Sequence, residues 1–454
     1  MVGFGTGRAL AWLALIAAAR AVPYDLQGRG AAILPSDDAF YAVPADAGSS
    51  APGAILKHRT PPAQIAAFGL APVNLQSSHQ ILYRTNDNFG NATATVVTVL
   101  IPHNADRTKI LSYQVAQDSS SKNCAPSYAL QLASASGGPL GTLVTQAELL
   151  LIEAALERGW VVILPDHEGP TAAFLANRQA GQATLDGIRA ALGSGSFTGI
   201  AKDAAVAMWG YSGGSLASAW AAELQPSYAP ELKIAGAALG GTVPNITTVL
   251  SEINKSLTAG IIASGFVGLS NQYPQVNKIL EQHVLPKYQP LFNKVRNQCL
   301  VADILDFLFK DVLAMLDDPT LPFTDPELVR IQNDNAPGQV TPKIPLYVYK
   351  STGDELSPIG ETDALVNKYC KGGASVKYVR DALSDHGTLA ITGAAKALSW
   401  LIDVLDEGKP QKGCSTSTVV SSLLDPSTLE IIPGFLIDAL LNLLGKPIGP
   451  ILIG

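Results

Sequence analysis

The sequence predicts an α/β fold, a mostly parallel sheet with helices on both faces. Short apolar runs alternate along the chain with segments of helical periodicity, which is typical of strand–helix–strand units. The run Trp-Val-Val-Ile-Leu-Pro at 160–165 is apolar throughout, as in a strand buried inside a parallel sheet. With 47% apolar and only 15% charged residues, the chain can also bury a large core.

Predicted strands fall at 79–84, 93–101, 109–116, 160–165, 204–209, 233–239, 344–350 and 376–379. Predicted helices fall between them at 145–158, 184–192 and 215–224, with a last helix at 393–405. The segment that precedes Pro72 is rich in Pro, Ala and Asp, and we expect it to wrap the core without regular strands.

About a hundred Leu-rich residues between 239 and 344 interrupt this alternation with helical character. An insertion there would lie over the carboxyl ends of the strands, where such sheets bind ligands. We therefore predict a core at 22–240 and 341–412, and a helical cap or lid at 241–340.

Residues 413–454 form the last predicted unit, a C-terminal flap. From Leu429 onward this tail is strongly apolar, which is also a feature of glycolipid-anchor signals. Asp438, Lys446 and Pro447 interrupt the run, so a flap on the cap, or plain core packing, is favoured over an anchor.

The first residues read as an export signal. Arg8 precedes an apolar run at 9–19, and Ala19-Arg20-Ala21 has the small residues of a cleavage site. The run is too short to span a bilayer. We expect residues 1–21 to be a signal peptide and the mature protein to be secreted and extracellular.

Four cysteines and three sequons accompany this signal. The cysteines are Cys124, Cys299, Cys370 and Cys414. An even and small number of cysteines in an exported chain predicts two disulfides, and three pairings are possible. The candidate N-glycosylation sites are Asn91, Asn245 and Asn254.

The charge of the chain and its motifs argue against a nucleic-acid-binding protein and against a metal site. A formal charge of −7 without any basic run argues against nucleic acid as a partner. The segment Asp166-His167-Glu168 combines three types of metal ligand, but no second histidine group stands at metal-site spacing. We expect a structural loop there, no metal and no cofactor.

The segment Gly210-Tyr211-Ser212-Gly213-Gly214 fits the G-x-S-x-G pattern of a nucleophile elbow. A predicted strand enters it and a predicted helix leaves it, so Ser212 would stand on a sharp turn that needs flanking glycines. The Gly213 amide at the helix N-terminus would face the oxyanion. A loop that merely connects strand and helix is the alternative.

A serine nucleophile needs a base and an acid, in the chain order Ser, acid, His in this fold. Of the two histidines after Ser212, His283 falls in the helical insertion and His386 in a polar loop before the last helix, so we predict His386 as the base. Asp354 is the first carboxylate after the strand at 344–350 and the preferred acid, with Glu355 and Asp385 as competitors.

A second oxyanion donor is expected in the loop after the third central strand. That loop contains Asp118, so either its backbone amide or a protonated carboxyl could donate. A simple Asp turn is the competing interpretation.

Several collinear motifs together resemble the fungal secretory lipase family of the lipase A type. The matching segments are 112–118, 124–128, 166–169, 185–189, 210–214, 354–358, 370 and 384–386. Asp385 stands where members of that family often carry Glu, a difference that leaves the implied mechanism unchanged.

The resemblance implies an α/β-hydrolase core with a mostly parallel central sheet, an inserted helical cap or lid, and a C-terminal flap near an acyl tunnel. It implies the catalytic set Ser212, Asp354 and His386, and the oxyanion pair Asp118 and Gly213. It also implies the disulfides Cys124–Cys299 and Cys370–Cys414.

We therefore expect a secreted lipase that hydrolyses triacylglycerols and other lipid esters at an oil–water interface, without a stable membrane span. A carboxylesterase, a peptidase or an acyltransferase of the same fold is the enzymatic alternative. A non-catalytic binding module on a hydrolase scaffold and a tail-anchored surface protein are the others. The sequence does not determine acyl-chain length or oligomeric state.

Overall fold

The computed structural model describes residues 31–69, 71–134, 142–409 and 412–425. In the C-terminal tail it describes residues 428, 434, 438–439, 441–442 and 444–450. The expected signal peptide at 1–21 lies outside the described residues, as does much of the apolar tail.

A ten-stranded sheet forms the centre of the described part of the chain, in the order β1-β4-β5-β7-β6-β8-β9-β10-β11-β12, and β2 and β3 form a separate hairpin. The strands are β1 (Ile55–Arg59), β2 (Ala66–Ala67), β3 (Ala71–Pro72), β4 (Ser77–Asn86), β5 (Ala92–Ile101), β6 (Asp106–Gln114), β7 (Trp160–Pro165), β8 (Ala205–Tyr211), β9 (Ile234–Gly240), β10 (Leu346–Ser351), β11 (Val376–Asp381) and β12 (Cys414–Val419). From β7 to β12 neighbouring strands run parallel, whereas β1, β4 and β5 pair antiparallel.

Helices connect the parallel strands. In the first part of the core they are α1 (Pro126–Ala129), α2 (Leu143–Ala147), α3 (Leu149–Glu157), α4 (Asn177–Gly193), α5 (Gly195–Thr198) and α6 (Gly213–Tyr228). The insertion contains α7 (Ile246–Ile253), α8 (Gly260–Ser270), α9 (Pro274–His283), α10 (Gln289–Val295), α11 (Leu300–Phe307), α12 (Leu321–Thr324) and α13 (Pro326–Asn335). The second part of the core adds α14 (Ile359–Lys371), α15 (His386–Thr392) and α16 (Ala394–Leu405).

A helix that spans a membrane must be both long and apolar. Within the described ranges, no single helix is long and apolar enough to cross a membrane. The bent pair α15 and α16, with 47° between its members, meets both conditions only when the two are taken together.

The sheet is buried on both faces, which explains the apolar runs in the sequence. Along β7, Val161 and Ile163 pack into one core with residues of α4, α6 and α14, and Val162 and Leu164 pack into a second core with residues of α3 and α16. Successive strand residues point to opposite faces, so a strand covered on both sides must be apolar throughout. The predicted mostly parallel α/β architecture is confirmed.

The helical insertion lies between β9 and β10 and has a hydrophobic core of its own. Members of this core include Ile262, Phe266 and Phe307, and the cluster extends to Leu356 beyond β10. A disulfide joins Cys299 of the insertion to Cys124 of the main domain, which is the pairing implied by the resemblance.

A buried polar contact holds the end of the insertion. The Oδ1 atom of Asn335 accepts a hydrogen bond from the backbone amide of Asn177 at 2.9 Å, and its Nδ2 atom donates to the Tyr273 hydroxyl at 2.8 Å. Buried amides of this kind are costly to leave unpaired. The contact therefore orients α13 relative to α4 and α9.

Several strands lie where the sequence does not predict them, namely the short hairpin β2–β3 and the two edge strands of the large sheet. The prediction that the segment before Pro72 lacks regular strands is wrong, because β1 pairs antiparallel with β4. The strand Cys414–Val419 pairs parallel with β11, so the core sheet continues past the expected core boundary at 412 into the segment assigned to a flap. Strand β12 is almost entirely polar and exposed, and β1 begins with two adjacent apolar residues instead of an alternation, so neither sequence shows the pattern of a half-buried strand.

The disulfide Cys370–Cys414 connects α14 to the edge strand β12 across 44 residues. Side chains of β12 are mostly exposed, so little apolar burial holds this strand. Replacing both cysteines by Ala should lower the free energy of unfolding by about 4 kcal/mol in the chain-entropy model, as measured by chemical denaturation. Thr416→Ala, an exposed change on the same strand, should leave the midpoint nearly unchanged, and equal midpoints for all three proteins would contradict this view.

Candidate active site

Ser212 occupies the sharp turn between β8 and α6. Its backbone has φ +51° and ψ −119°, a conformation that non-glycine residues rarely adopt. A Cβ atom at Gly210 would lie 2.2 Å from the Gly214 carbonyl oxygen, and one at Gly214 would lie 1.9 Å from the Gln114 carbonyl oxygen on β6. The turn therefore requires glycine on both sides of the serine, as the G-x-S-x-G pattern predicted.

Three distant side chains meet at this turn. His386 Nε2 lies 2.8 Å from Ser212 Oγ, and His386 Nδ1 lies 2.7 Å from Asp354 Oδ2. An ionised carboxylate only accepts hydrogen bonds, so Nδ1 carries the proton and Nε2 is free to accept from the serine hydroxyl. The arrangement forms a relay from the hydroxyl through the imidazole to a buried acid.

Asp354 lies just after β10 and is held by several donors. Its Oδ1 atom accepts the backbone amides of Leu356 at 3.0 Å and Ser357 at 2.8 Å. Burial acts to raise the pKa of Asp354, but contacts with His386 and Lys350 outweigh it and hold the pKa well below its ordinary value. The carboxylate therefore stays ionised throughout the neutral range.

The competing acids contact other groups. Glu355 accepts the backbone amide of His386 at 2.8 Å rather than its ring. Asp385 is the N-cap of α15 and accepts the Thr388 amide at 2.8 Å, in a capping box that places His386 at the first position of the helix. His283 lies in the insertion and pairs with Asp317.

Asp118 and Gly213 lie against each other beside Ser212. A Cβ atom on Gly213 would lie 1.8 Å from Asp118 Oδ1, so only glycine fits there. The backbone of Asp118 has φ +46°. Burial raises the pKa of this carboxyl to about 7, although the nearby charge of His386 acts to lower it.

The loop Asp166-His167-Glu168-Gly169 supports this corner of the site. Asp166 accepts the Ser127 amide at 2.9 Å, and His167 Nε2 lies 2.8 Å from the Val115 carbonyl oxygen, to which it donates. Burial lowers the pKa of His167 to about 4, so the ring is neutral. Within the described ranges, no cluster of three or more His, Cys, Asp or Glu residues could hold a metal ion.

Glu168 of the same loop is buried next to the Asp118 backbone. Burial and the charge of Asp118 raise its pKa well above the usual range, and the amides of Ser119 and Asp118 act in the opposite direction. From the sequence we expect only a structural loop here, with a metal site as the alternative. His167 and Glu168 contact the segment that carries Asp118, at the Val115 carbonyl oxygen and at the amides of Asp118 and Ser119. These contacts join segments that are distant in sequence, so no local pattern predicts them.

An apolar cavity opens at Ser212 and runs under the helical insertion. Three residues of its wall belong to the reactive end, namely Ser212, Gly213 and Asp118. The rest of the wall is mostly aliphatic and aromatic and includes Phe174, Leu216, Val249, Leu250, Ile253, Ile262, Phe266, Leu269 and Leu328. Such a cavity favours a hydrocarbon chain attached to the reacting group.

Lys350 is a site residue that the sequence analysis did not single out. It lies on β10 four residues before Asp354, and its ammonium nitrogen is 2.8 Å from Asp354 Oδ2. The sequence contains a signal for this contact, namely a lysine near the end of a strand that is otherwise mostly apolar. Because lysine is rarely buried without a partner, such a lysine indicates a nearby carboxylate.

Comparisons with known proteins agree with this geometry. The family model described as secretory lipase matches residues 134–413. Lipase A of Arthroderma benhamiae is 53% identical to this chain, over 92% of it and 90% of the relative, and Lipase 5 of Candida albicans is 40% identical over 92% and 90%.

A solved structure shows the same architecture. The crystal structure of Candida antarctica lipase A in its closed state superposes with a TM-score of 0.80 at 30% identity, over 93% of this chain and all of that one. Family model, relatives and structure each cover most of the chain. The chain therefore belongs to the secretory lipase family, and its fold is that of an α/β-hydrolase.

Proposed function

We propose that this chain hydrolyses carboxylic esters of lipids, triacylglycerols among them, through an acyl-enzyme formed on Ser212. The observation that carries the proposal is the position of Ser212, which is hydrogen-bonded to His386 and stands at the mouth of the apolar cavity. A nucleophile with an attached base and an adjoining hydrocarbon site fits an ester with a long acyl chain.

In the proposed reaction, Ser212 Oγ attacks the ester carbonyl carbon and His386 Nε2 takes its proton. The same proton passes to the oxygen of the leaving alcohol when the tetrahedral intermediate collapses to the acyl-enzyme. Water then attacks the acyl carbon while His386 again accepts a proton, and Ser212 is released with its hydroxyl restored. Asp354 keeps Nδ1 protonated and stabilises the imidazolium in each step.

The oxyanion is assigned to the Gly213 amide at the N-terminus of α6 and to Asp118. Amides at the start of a helix stabilise developing negative charge, because the helix dipole is positive there. A neutral Asp118 carboxyl could donate a further hydrogen bond, and burial makes that form accessible near neutral pH.

The helical insertion at 241–340 is proposed as the cap over the acyl site, and a lipid surface as the partner. Side chains beside the His386 loop support the second point, since Leu383 and Ile391 are each 67% exposed, and Val420 and Leu424 are also exposed. Exposed apolar side chains around a lipase mouth favour contact with an oil–water interface.

We also propose that the mature protein is extracellular. Two disulfides support an oxidising compartment. Of the three sequons, Asn91 is exposed, whereas Asn245 and Asn254 are only half-buried positions whose Nδ2 atoms are hydrogen-bonded to Glu361 and Asp311; the Nδ2 atom of Asn91 donates to Asp87 in its own exposed turn. Asn91 is therefore the sequon most accessible for glycosylation in the folded protein.

The proposed function predicts faster turnover of long-chain than of short-chain p-nitrophenyl esters, and measurable release of fatty acid from a triglyceride emulsion. Ser212→Ala should reduce these rates by on the order of 10⁶-fold, because the nucleophile is lost. A fluorophosphonate should label the native protein stoichiometrically at Ser212. Ester turnover that survives in Ser212→Ala would refute the assignment, and a preference for short chains would favour a carboxylesterase.

The acid can be identified by three matched substitutions. Asp354→Asn should lower kcat by about 10⁴-fold, because an amide in this position favours the wrong imidazole tautomer. Glu355→Gln and Asp385→Asn should each cost much less, because neither carboxylate contacts the ring. Steady-state rates at constant pH measure this, and a larger loss in either control would transfer the role of acid to that residue.

The proposed donor role of Asp118 predicts a dependence on pH. As pH rises through about 7, the buried Asp118 carboxyl loses its proton and can no longer donate a hydrogen bond. The resulting negative charge lies next to the oxyanion, so kcat should fall. Asp118→Asn remains a neutral donor, so its rate should stay level over the same range. Asp385→Asn, at an exposed helix cap, should keep the native fall in kcat through this range, and the same fall in Asp118→Asn would show that the side chain does not donate.

A further inference from the structure

Lys350 is a fully buried cation at the proposed active site. Its side chain and that of Asp354 both have 0% exposure, and the two charged groups are 2.8 Å apart. The ammonium group also donates to the Thr242 carbonyl oxygen at 2.9 Å. The loop that begins the helical insertion and the strand that carries the acid are thus joined through one side chain.

The Oδ2 atom of Asp354 is shared by two donors. His386 Nδ1 contacts it at 2.7 Å and Lys350 Nζ at 2.8 Å, so the two nitrogens lie no more than 5.5 Å apart. With two backbone amides on Oδ1, the carboxylate accepts four hydrogen bonds in all. This set fixes both the position of the carboxylate and the direction from which it meets the imidazole.

The other charged and titratable groups around His386 are acidic or phenolic. Glu355 accepts its backbone amide, and the Tyr211 hydroxyl on β8 donates to its carbonyl oxygen. Asp118 faces it from the loop after β6, and Asp385 precedes it at the helix cap. The negative charge of each carboxylate favours the protonated imidazole, whereas the positive charge of Lys350 favours the neutral ring.

We propose that Lys350 is a positioning residue for the hydrolysis, which holds the Asp354 carboxylate in place and offsets its charge. The imidazole then remains unprotonated, and able to accept the Ser212 proton, at lower pH than it would beside an unpaired buried carboxylate. The inference rests on the proposed function, because it assigns to Lys350 an effect on the base of that reaction.

The balance of charge supports this role. Lys350 balances the charge of the buried Asp354 carboxylate in the resting site, and the imidazolium formed during attack balances the oxyanion. Without Lys350 the resting site would carry an uncompensated negative charge that attracts a proton to the imidazole. Burial lowers the pKa of Lys350, and its contact with Asp354 acts in the opposite direction to preserve the charge.

The test compares the pH dependence of the rate at which a fluorophosphonate labels Ser212. Lys350→Met removes the charge and the donor, and Lys350→Gln removes the charge but keeps a donor. A cation within 5.5 Å alters a protonation equilibrium by on the order of one pH unit or more, so the acid limb should move up by about 1 pH unit or more in both variants. Only folded molecules react, so partial misfolding of one variant does not distort the profile.

Lys109→Met is the matched control. Lys109 lies on β6 of the same sheet and pairs with Asp406 at 2.7 Å, at the opposite end of the strands from Ser212. Its loss should reduce stability and leave the acid limb unchanged.

The outcomes separate the two proposals. Absence of Ser212 labelling in the native protein would overturn the proposed function itself. Normal labelling with the same acid limb in native, Lys350→Met and Lys350→Gln proteins would overturn the role of Lys350, even if the maximal rate fell. A shift in Lys350→Met alone would assign the effect to hydrogen-bond donation and contradict the role of the charge.

Discussion

The close approach of three backbone segments around Ser212 is the constraint on which the rest of the site depends. Gly210 and Gly214 allow the turn to close against itself and against Gln114 of β6, and no larger residue fits at either position. The serine is thereby held at the carboxyl edge of the sheet in a strained conformation. The neighbouring strands end at the same edge, so their loops bring Asp354 and His386 within reach.

The pKa values of the carboxyl groups at this edge shift in opposite directions for physical reasons. Asp354 accepts hydrogen bonds from an imidazole, an ammonium group and two amides, and it stays ionised in spite of its burial. Among the residues that the structure describes, no cation pairs with Asp118 or Glu168, so burial dominates and raises the pKa of each. The same functional group thus provides a fixed charge on one side of Ser212 and groups that favour the neutral form on the other.

A buried polar network supports the side of the site to which the oxyanion is proposed to bind. Glu148 accepts the Tyr113 hydroxyl at 2.8 Å and the Ala116 amide at 2.9 Å, which fixes the chain on both sides of Val115. His167 donates to the carbonyl of Val115 itself. Such a network leaves the Asp118 loop little freedom before substrate arrives, which is the preorganisation that oxyanion stabilisation requires.

The sequence by itself determined the parallel core and the nucleophile turn at Ser212. It also indicated His386 as the base and Asp354 as the preferred acid. The core and the turn each leave a local trace, because fully buried strands are continuously apolar and a strained turn demands glycine. Only the tertiary structure decided the edge strands β1 and β12, the pairing of Lys350 with Asp354 and the shape of the apolar cavity. These depend on contacts between segments far apart in the chain, and such contacts impose no periodicity on either segment.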